Sequence, residues 1–126
     1  MYKPELEEFA PYYSTYIDLL EDKPIADLLE EHLEENIAFF SEIEDDSWNY
    51  AYRDKKWTIK QVLAHIVDTE WIFNARAKRF SRGDLTPLPG YDQDLYISKV
   101  NYTNYNPEEL LDEFYFVRKA SIQMFS

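Results

Sequence analysis

The chain of 126 residues contains no cysteine. That excludes a disulfide framework and removes any thiol nucleophile or thiolate metal ligand. Glycine occurs only twice, at Gly83 and Gly90, and histidine only twice, at His32 and His65. Basic residues are scarce: 13 Lys and Arg stand against 25 Asp and Glu, a net charge of −12. Such a chain repels phosphate backbones and anionic bilayers, so neither nucleic acid nor a membrane surface is expected as a partner. No run approaches the 18 or so apolar residues of a membrane span. The N-terminus offers Lys3 and then Glu5, Glu7 and Glu8, with no apolar stretch after them, so it does not read as a secretory leader. By this absence of signals the expected location is the cytoplasm.

What is present is apolar and aromatic. Hydrophobic residues make up 45 % of the chain and aromatic ones 17 %, enough for a single-domain core and too many for disorder. Three segments carry helical periodicity, near 24–45, 58–82 and 107–125. The strongest begins at Thr58, with Gln61 three residues on as a capping box, and ends in Arg79, Arg82 and Gly83. Val62, Ile66, Thr69, Phe73, Ala77 and Phe80 share one of its faces. The first long helix follows Pro24. Ile25, Leu28, Leu29, Phe39, Phe40 and Ile43 form its stripe, with His32 and Asn36 mid-stripe and hence expected to be buried. Its glutamates, Glu30, Glu31, Glu34, Glu35 and Glu42, read as a solvated face. The last helix is capped by Asn106 and Pro107, with Glu109 three residues after the cap, and carries Leu110, Phe114, Val117, Ser121 and Met124 as its stripe.

The connections are less regular. Residues 1–8 read as extended, and Tyr12, Tyr16, Leu19 and Leu20 as a short amphipathic helix after Pro11. Trp48, Tyr50 and Tyr52 alternate in a connector, which suggests aromatics docked on one side. The stretch from Asp84 to Tyr105 is long for a compact domain, with a short helix expected near Asp92–Val100. Leu88-Pro89-Gly90-Tyr91 either closes one end of the bundle or forms part of a pocket mouth.

His65 is the candidate centre, flanked on its own side by Thr69, Ile72 and Arg76, with Asp68 and Glu70 close in sequence. A lone helical histidine is more often a packed and hydrogen-bonded one, because a metal site needs three or four ligands. The string Trp57-Thr58-Ile59, Ala64-His65-Ile66-Val67-Asp68-Thr69-Glu70, Arg76 and Arg82-Gly83-Asp84 through Pro89-Gly90-Tyr91 resembles the DinB/YfiT-like family. The resemblance runs over most of the chain and is strongest from Tyr50 to Tyr91. It implies an all-α, up-down four-helix bundle with a long crossover loop. It also implies a zinc or nickel ion held by three histidines. His65 matches one of them; the other two come from an H-x-x-x-H on a fourth helix, and this chain has no such motif. The expectation is therefore a DinB-like bundle truncated to three long helices.

For the intact family the resemblance implies a metal-dependent hydrolase or thiol S-transferase of small molecules. Asp68 or Glu70 would be the general base or an acceptor behind the ligand, with His32, Asn36, Thr69 and Arg76 lining the pocket. The alternatives are a metal-free helical binding or assembly module, or an inactive fragment. With His65 as the one ligand carried over, weak or no zinc or nickel binding is expected of this chain. A bundle short of one helix bares an apolar groove, here assigned to Phe73, Phe80, Phe114 and Met124, so a homodimer is expected.

Overall fold

The computed structural model describes residues 3–126. Among them every regular element is a helix. The chain runs through α1 (Ser14–Ile17), α2 (Ile25–Ser41), α3 (Ile59–Ser81), α4 (Gln93–Ser98) and α5 (Pro107–Phe125), with single 3₁₀ turns at Pro11–Tyr13, Ser47–Asn49 and Tyr102–Asn104. The all-α expectation and the three long helices hold. No described helix is long and apolar enough to cross a membrane.

The termini of α3 form as their residues dictate. Thr58 Oγ1 accepts from the Gln61 N–H at 3.2 Å, and Gln61 Oε1 accepts from the Thr58 N–H at 2.9 Å. At the other end Gly83 takes φ +69, a left-handed angle that suits a residue without Cβ. Its N–H reaches the Phe80 carbonyl and that of Asp84 reaches the Arg79 carbonyl, closing a Schellman turn. Thr58→Ala should lower the unfolding free energy by about 1 kcal/mol. Urea denaturation reads this directly, and no change would mean that tertiary packing alone holds the first turn. At α5 the Asn106 side chain accepts from the Glu108 N–H.

α5 is the helix on which the others are organised. It packs against both α2 and α3, which scarcely touch each other. Its stripe is buried as its periodicity demands: Leu110, Phe114, Val117 and Ser121. Leu63, Ala64 and Val67 of α3 and Leu33 and Phe40 of α2 close the core from either side. Trp48 folds back to stack on Phe40, at 6.0 Å between rings, and Ile97 of α4 covers α3. Lys60 is buried as well. Its Nζ donates to the Thr103 carbonyl at 3.1 Å, tying the first turn of α3 to the turn before α5.

Several expectations are corrected. α2 stops at Ser41 rather than 45, because the chain turns to bring Trp48 onto Phe40. Its face on the main cluster is Leu33, Ile37 and Phe40, about 80° round from the anticipated centre, while Leu28 of the anticipated stripe is buried as expected. His32 is therefore exposed, not buried; Asn36, half-buried, donates to the His32 backbone carbonyl at 2.7 Å. On α3 the buried residues are Leu63, Ala64 and Val67, whereas Val62, Phe73 and Phe80 are exposed. Phe114, assigned to an open groove, is 1 % exposed at the centre of the core.

The connections are corrected too. The segment near residue 5 turns, with the Glu8 N–H on the Glu5 carbonyl, rather than running extended. Met1 and Tyr2 lie outside the described residues. The tyrosines of 11–17 point into solvent. In the connector only Trp48 docks, and Tyr50 and Tyr52 stay exposed.

Candidate functional site

Because α2 and α3 both lean on α5 and not on each other, a groove runs between them with α5 as its floor. At one end it deepens into an open pocket of about 440 Å³. Ile25 and Leu29 of α2 form one wall. His65, Ile66, Thr69 and Phe73 of α3 form the other, and Arg118, Ser121 and Phe125 of α5 lie at the base with Glu70 and Asn74. The walls are mostly apolar, and the polar groups cluster at the base and at His65.

His65 is half-buried and held on two sides. The Trp57 ring lies 4.9 Å from the imidazole, centre to centre. Thr69 Oγ1, one turn on, is 3.4 Å from Nδ1, and it also meets the Tyr91 hydroxyl at 2.6 Å. Tyr91 comes from the long loop. That loop is pinned to α3 by Arg76, whose Nη2 donates to the Pro89 carbonyl at 2.9 Å while its guanidinium lies over Phe73. Farther along, Arg79 pairs with Asp84 at 2.6 Å, which holds the Asp84 carboxyl far below the usual carboxylate range. The loop thus closes over the flank of α3 and steadies His65 through Thr69.

The base of the pocket is a largely buried ion pair, its two side chains each 12 % exposed. Arg118 Nε and Nη2 donate to Glu70 Oε1 and Oε2 at 2.6 and 2.9 Å, a two-pronged contact. Ser121 Oγ lies 2.6 Å from Glu70 Oε1 and accepts from Asn74 Nδ2 at 2.8 Å. The Ser121 hydroxyl carries one proton, and the shortest, charged acceptor is Glu70. The lone pairs of Glu70 are thus engaged from several sides.

The structure brings together His65, Thr69 and Glu70 of the residues singled out by sequence, with Arg76 farther along α3 and bonded to the loop. It does not bring His32 or Asn36 to the pocket. Asp68 points elsewhere on α3, toward Glu113 and Tyr102. Sequence reasoning missed Trp57 as the partner of His65, Arg118 as that of Glu70, and Asn74 as that of Ser121. The signal for the latter was Ser121: a hydroxyl within a buried stripe requires a polar partner opposite.

Burial raises the pKa of Asp68, and the Glu113 charge adds to it, while His65 opposes it. Burial likewise raises Tyr102, with Asp68 as the next cause. A carboxylate whose pKa is raised by folding costs stability wherever it is ionised in the fold. That cost is complete at neutral pH and vanishes once pH falls below its unfolded value of about 3.8. Asp68→Asn should therefore raise the thermal midpoint at pH 7 and leave it unchanged at about pH 3. Melting curves at the two pH values test this, and a midpoint lowered at pH 7 would refute it.

A helical bundle with one histidine aimed at an inter-helix pocket defines the class of protein. Residues 28–126 match the model of the DinB superfamily, and the chain belongs to that superfamily. No curated protein and no solved structure matches it. A metal of the kind the family resemblance implies would need three or more donors, His65 among them. Among the described residues no three His, Cys, Asp or Glu side chains converge, and the neighbours of His65 are Trp57, Thr69 and Tyr91. These residues do not fit a three-ligand metal centre.

Proposed function

We propose that this chain works as a small-molecule-binding DinB module, with His65 as its polar contact. The observation that carries this reading is a single imidazole set into an apolar pocket, steadied by Trp57 and by the Thr69–Tyr91 hydrogen bonds. Its walls suit a compact, largely apolar molecule with one group able to hydrogen-bond to His65. The Glu70–Arg118 pair supports the base from below and keeps the Arg118 guanidinium in place.

A metal-dependent hydrolase or thiol S-transferase is the second reading. The contact of Thr69 with His65 Nδ1 favours it, because holding one ring nitrogen orients the other for ligation. It would need two more donors than the described residues bring to His65.

Calorimetry on the whole chain separates the two. Zinc and nickel titrations are expected to give weak heats without stoichiometric saturation. The neutral dye N-phenyl-1-naphthylamine is expected to saturate at one site per chain, and Leu29→Asp should weaken it by roughly tenfold or more, ~1.4 kcal/mol. Tight stoichiometric metal binding that is lost in His65→Ala would overturn the metal-free reading. A dye affinity indifferent to Leu29→Asp would remove the pocket from it.

A further inference from the structure

The other end of the same groove shares Trp57 with the His65 site and none of the residues that line the His65 pocket. There Phe39, Tyr50, Tyr52 and Val62 are all exposed around a second hollow whose charged lining is Lys55 and Lys56 against one carboxylate, Asp94. Arg53, Lys55 and Lys56 make no ion pair among the described residues, and they form the one basic cluster in a connector otherwise rich in Asp and Glu. Lys55 stands at φ +60, a left-handed angle that a side chain rarely adopts.

A second unpartnered apolar surface lies on the arm before α2. Tyr12, Tyr13, Tyr16 and Leu19 are exposed, and its two short turns pack chiefly on each other. The arm begins with Glu5, Glu7 and Glu8, none of which pairs with a cation among the described residues. One surface is thus aromatic with a basic rim, and the other is aromatic with an acidic lead.

We infer that the two surfaces meet between copies: the N-terminal arm of one chain lies in the α2–α3 groove of a second, at its Phe39–Tyr52 end, and the two copies exchange arms about a two-fold axis. Geometry selects exchange over folding back. The arm joins α2 at Ile25, which lines the His65 pocket, whereas the hollow lies beyond Phe39. Those points are about 21 Å apart along the helix. In its own chain the arm must double back over that pocket. With two grooves facing antiparallel, the root of one arm stands beside the far hollow of the other. The glutamates of α2 do not oppose this, because Glu30, Glu31, Glu34 and Glu35 lie away from its groove face. Tyrosines bury roughly 150–250 Å² each when covered. Two exchanged arms with the grooves they fill reach the ~1,200–2,000 Å² of a stable interface.

The absence of cysteine makes the test clean. The single variants Tyr16→Cys and Tyr52→Cys, one carrying a size tag, are mixed and mildly oxidised. The expected product is a mixed disulfide dimer in excess of either self-linked dimer. Sedimentation of the unmodified chain at micromolar concentration should give a dimer. Tyr12→Ser with Tyr16→Ser should raise its dissociation constant at least roughly tenfold, with an unchanged circular dichroism spectrum. Lys55→Glu with Lys56→Glu should do the same, and adding Glu7→Lys and Glu8→Lys should restore it. A monomeric chain, or an intrachain link in the Tyr16→Cys/Tyr52→Cys double variant, would overturn the inference in favour of an arm bound in its own groove. A dimer indifferent to all these changes would overturn it in favour of another face.

Discussion

Phe114→Ala should lower the unfolding free energy by about 3–5 kcal/mol. The side chain is 1 % exposed, sits midway along the helix that both other long helices pack on, and belongs to the single large apolar cluster. Its ring also carries the Arg118 guanidinium, 5.1 Å from its centre. Truncation would leave a cavity at the centre of the helix on which α2 and α3 both lean. A domain of this kind has only about 5–15 kcal/mol in total. The urea midpoint should therefore fall steeply, and the variant is expected to be partly unfolded at 25 °C if the wild type lies at the low end. Phe116→Ala, two residues on and exposed, is the control and should stay within about 0.5 kcal/mol of wild type. Equal midpoints for the two variants would mean that α5 is not the centre of the core.

The same residue shows what the sequence revealed and what it withheld. The stripe Leu110, Phe114, Val117, Ser121 was legible because its residues recur at three- and four-residue steps on the side of α5 that meets both α2 and α3. Caps were legible because they depend on residues close in sequence: Thr58 with Gln61, Asn106 with Pro107 and Gly83 after Arg82. The faces of α2 and α3 were not. Each has an apolar arc wider than a core requires, and periodicity reports the arc without saying which edge meets a neighbour. On α3 the more regular edge, Val62, Phe73 and Phe80, lies toward the open side. On α2 the edge bearing Ile25, Leu29, His32 and Phe39 likewise lies there, which is why His32 is exposed. Placing Phe114 in the groove was the converse error: the helix next to the groove was identified, but not that its stripe faces both partners. His65 was legible as a centre because its motif is local. Its supports were not, since Trp57 lies in the lead-in to α3 and Tyr91 in the loop.

Breaking the ion pair at the base of the pocket is the second large effect. The side chains of Glu70 and Arg118 are each only 12 % exposed. Taking both out of water is costly, and their two-pronged contact, with Ser121 as a third partner, offsets that cost only while it is complete. Removing one member strands the other. Arg118→Met leaves the Glu70 carboxylate with Ser121 alone, and Glu70→Leu leaves a guanidinium over Phe114 without a counter-charge. Each single variant should cost about 3 kcal/mol, the low end for a buried pair because the pocket lets water approach. The double variant, Glu70→Leu with Arg118→Met, replaces both by apolar groups of similar length. It should cost well under the sum, about 1 kcal/mol, so the cycle should show a coupling of several kcal/mol. Binding of the neutral dye gives an independent readout of the same pair. If the pair serves only to seat the base, the double variant should recover dye affinity along with stability. If Glu70 or Arg118 itself contacts the bound molecule, stability should return and affinity should not. Additive single losses would dismiss the pair as a coupled unit and place the fixing of the pocket base with Ser121 and Asn74 instead.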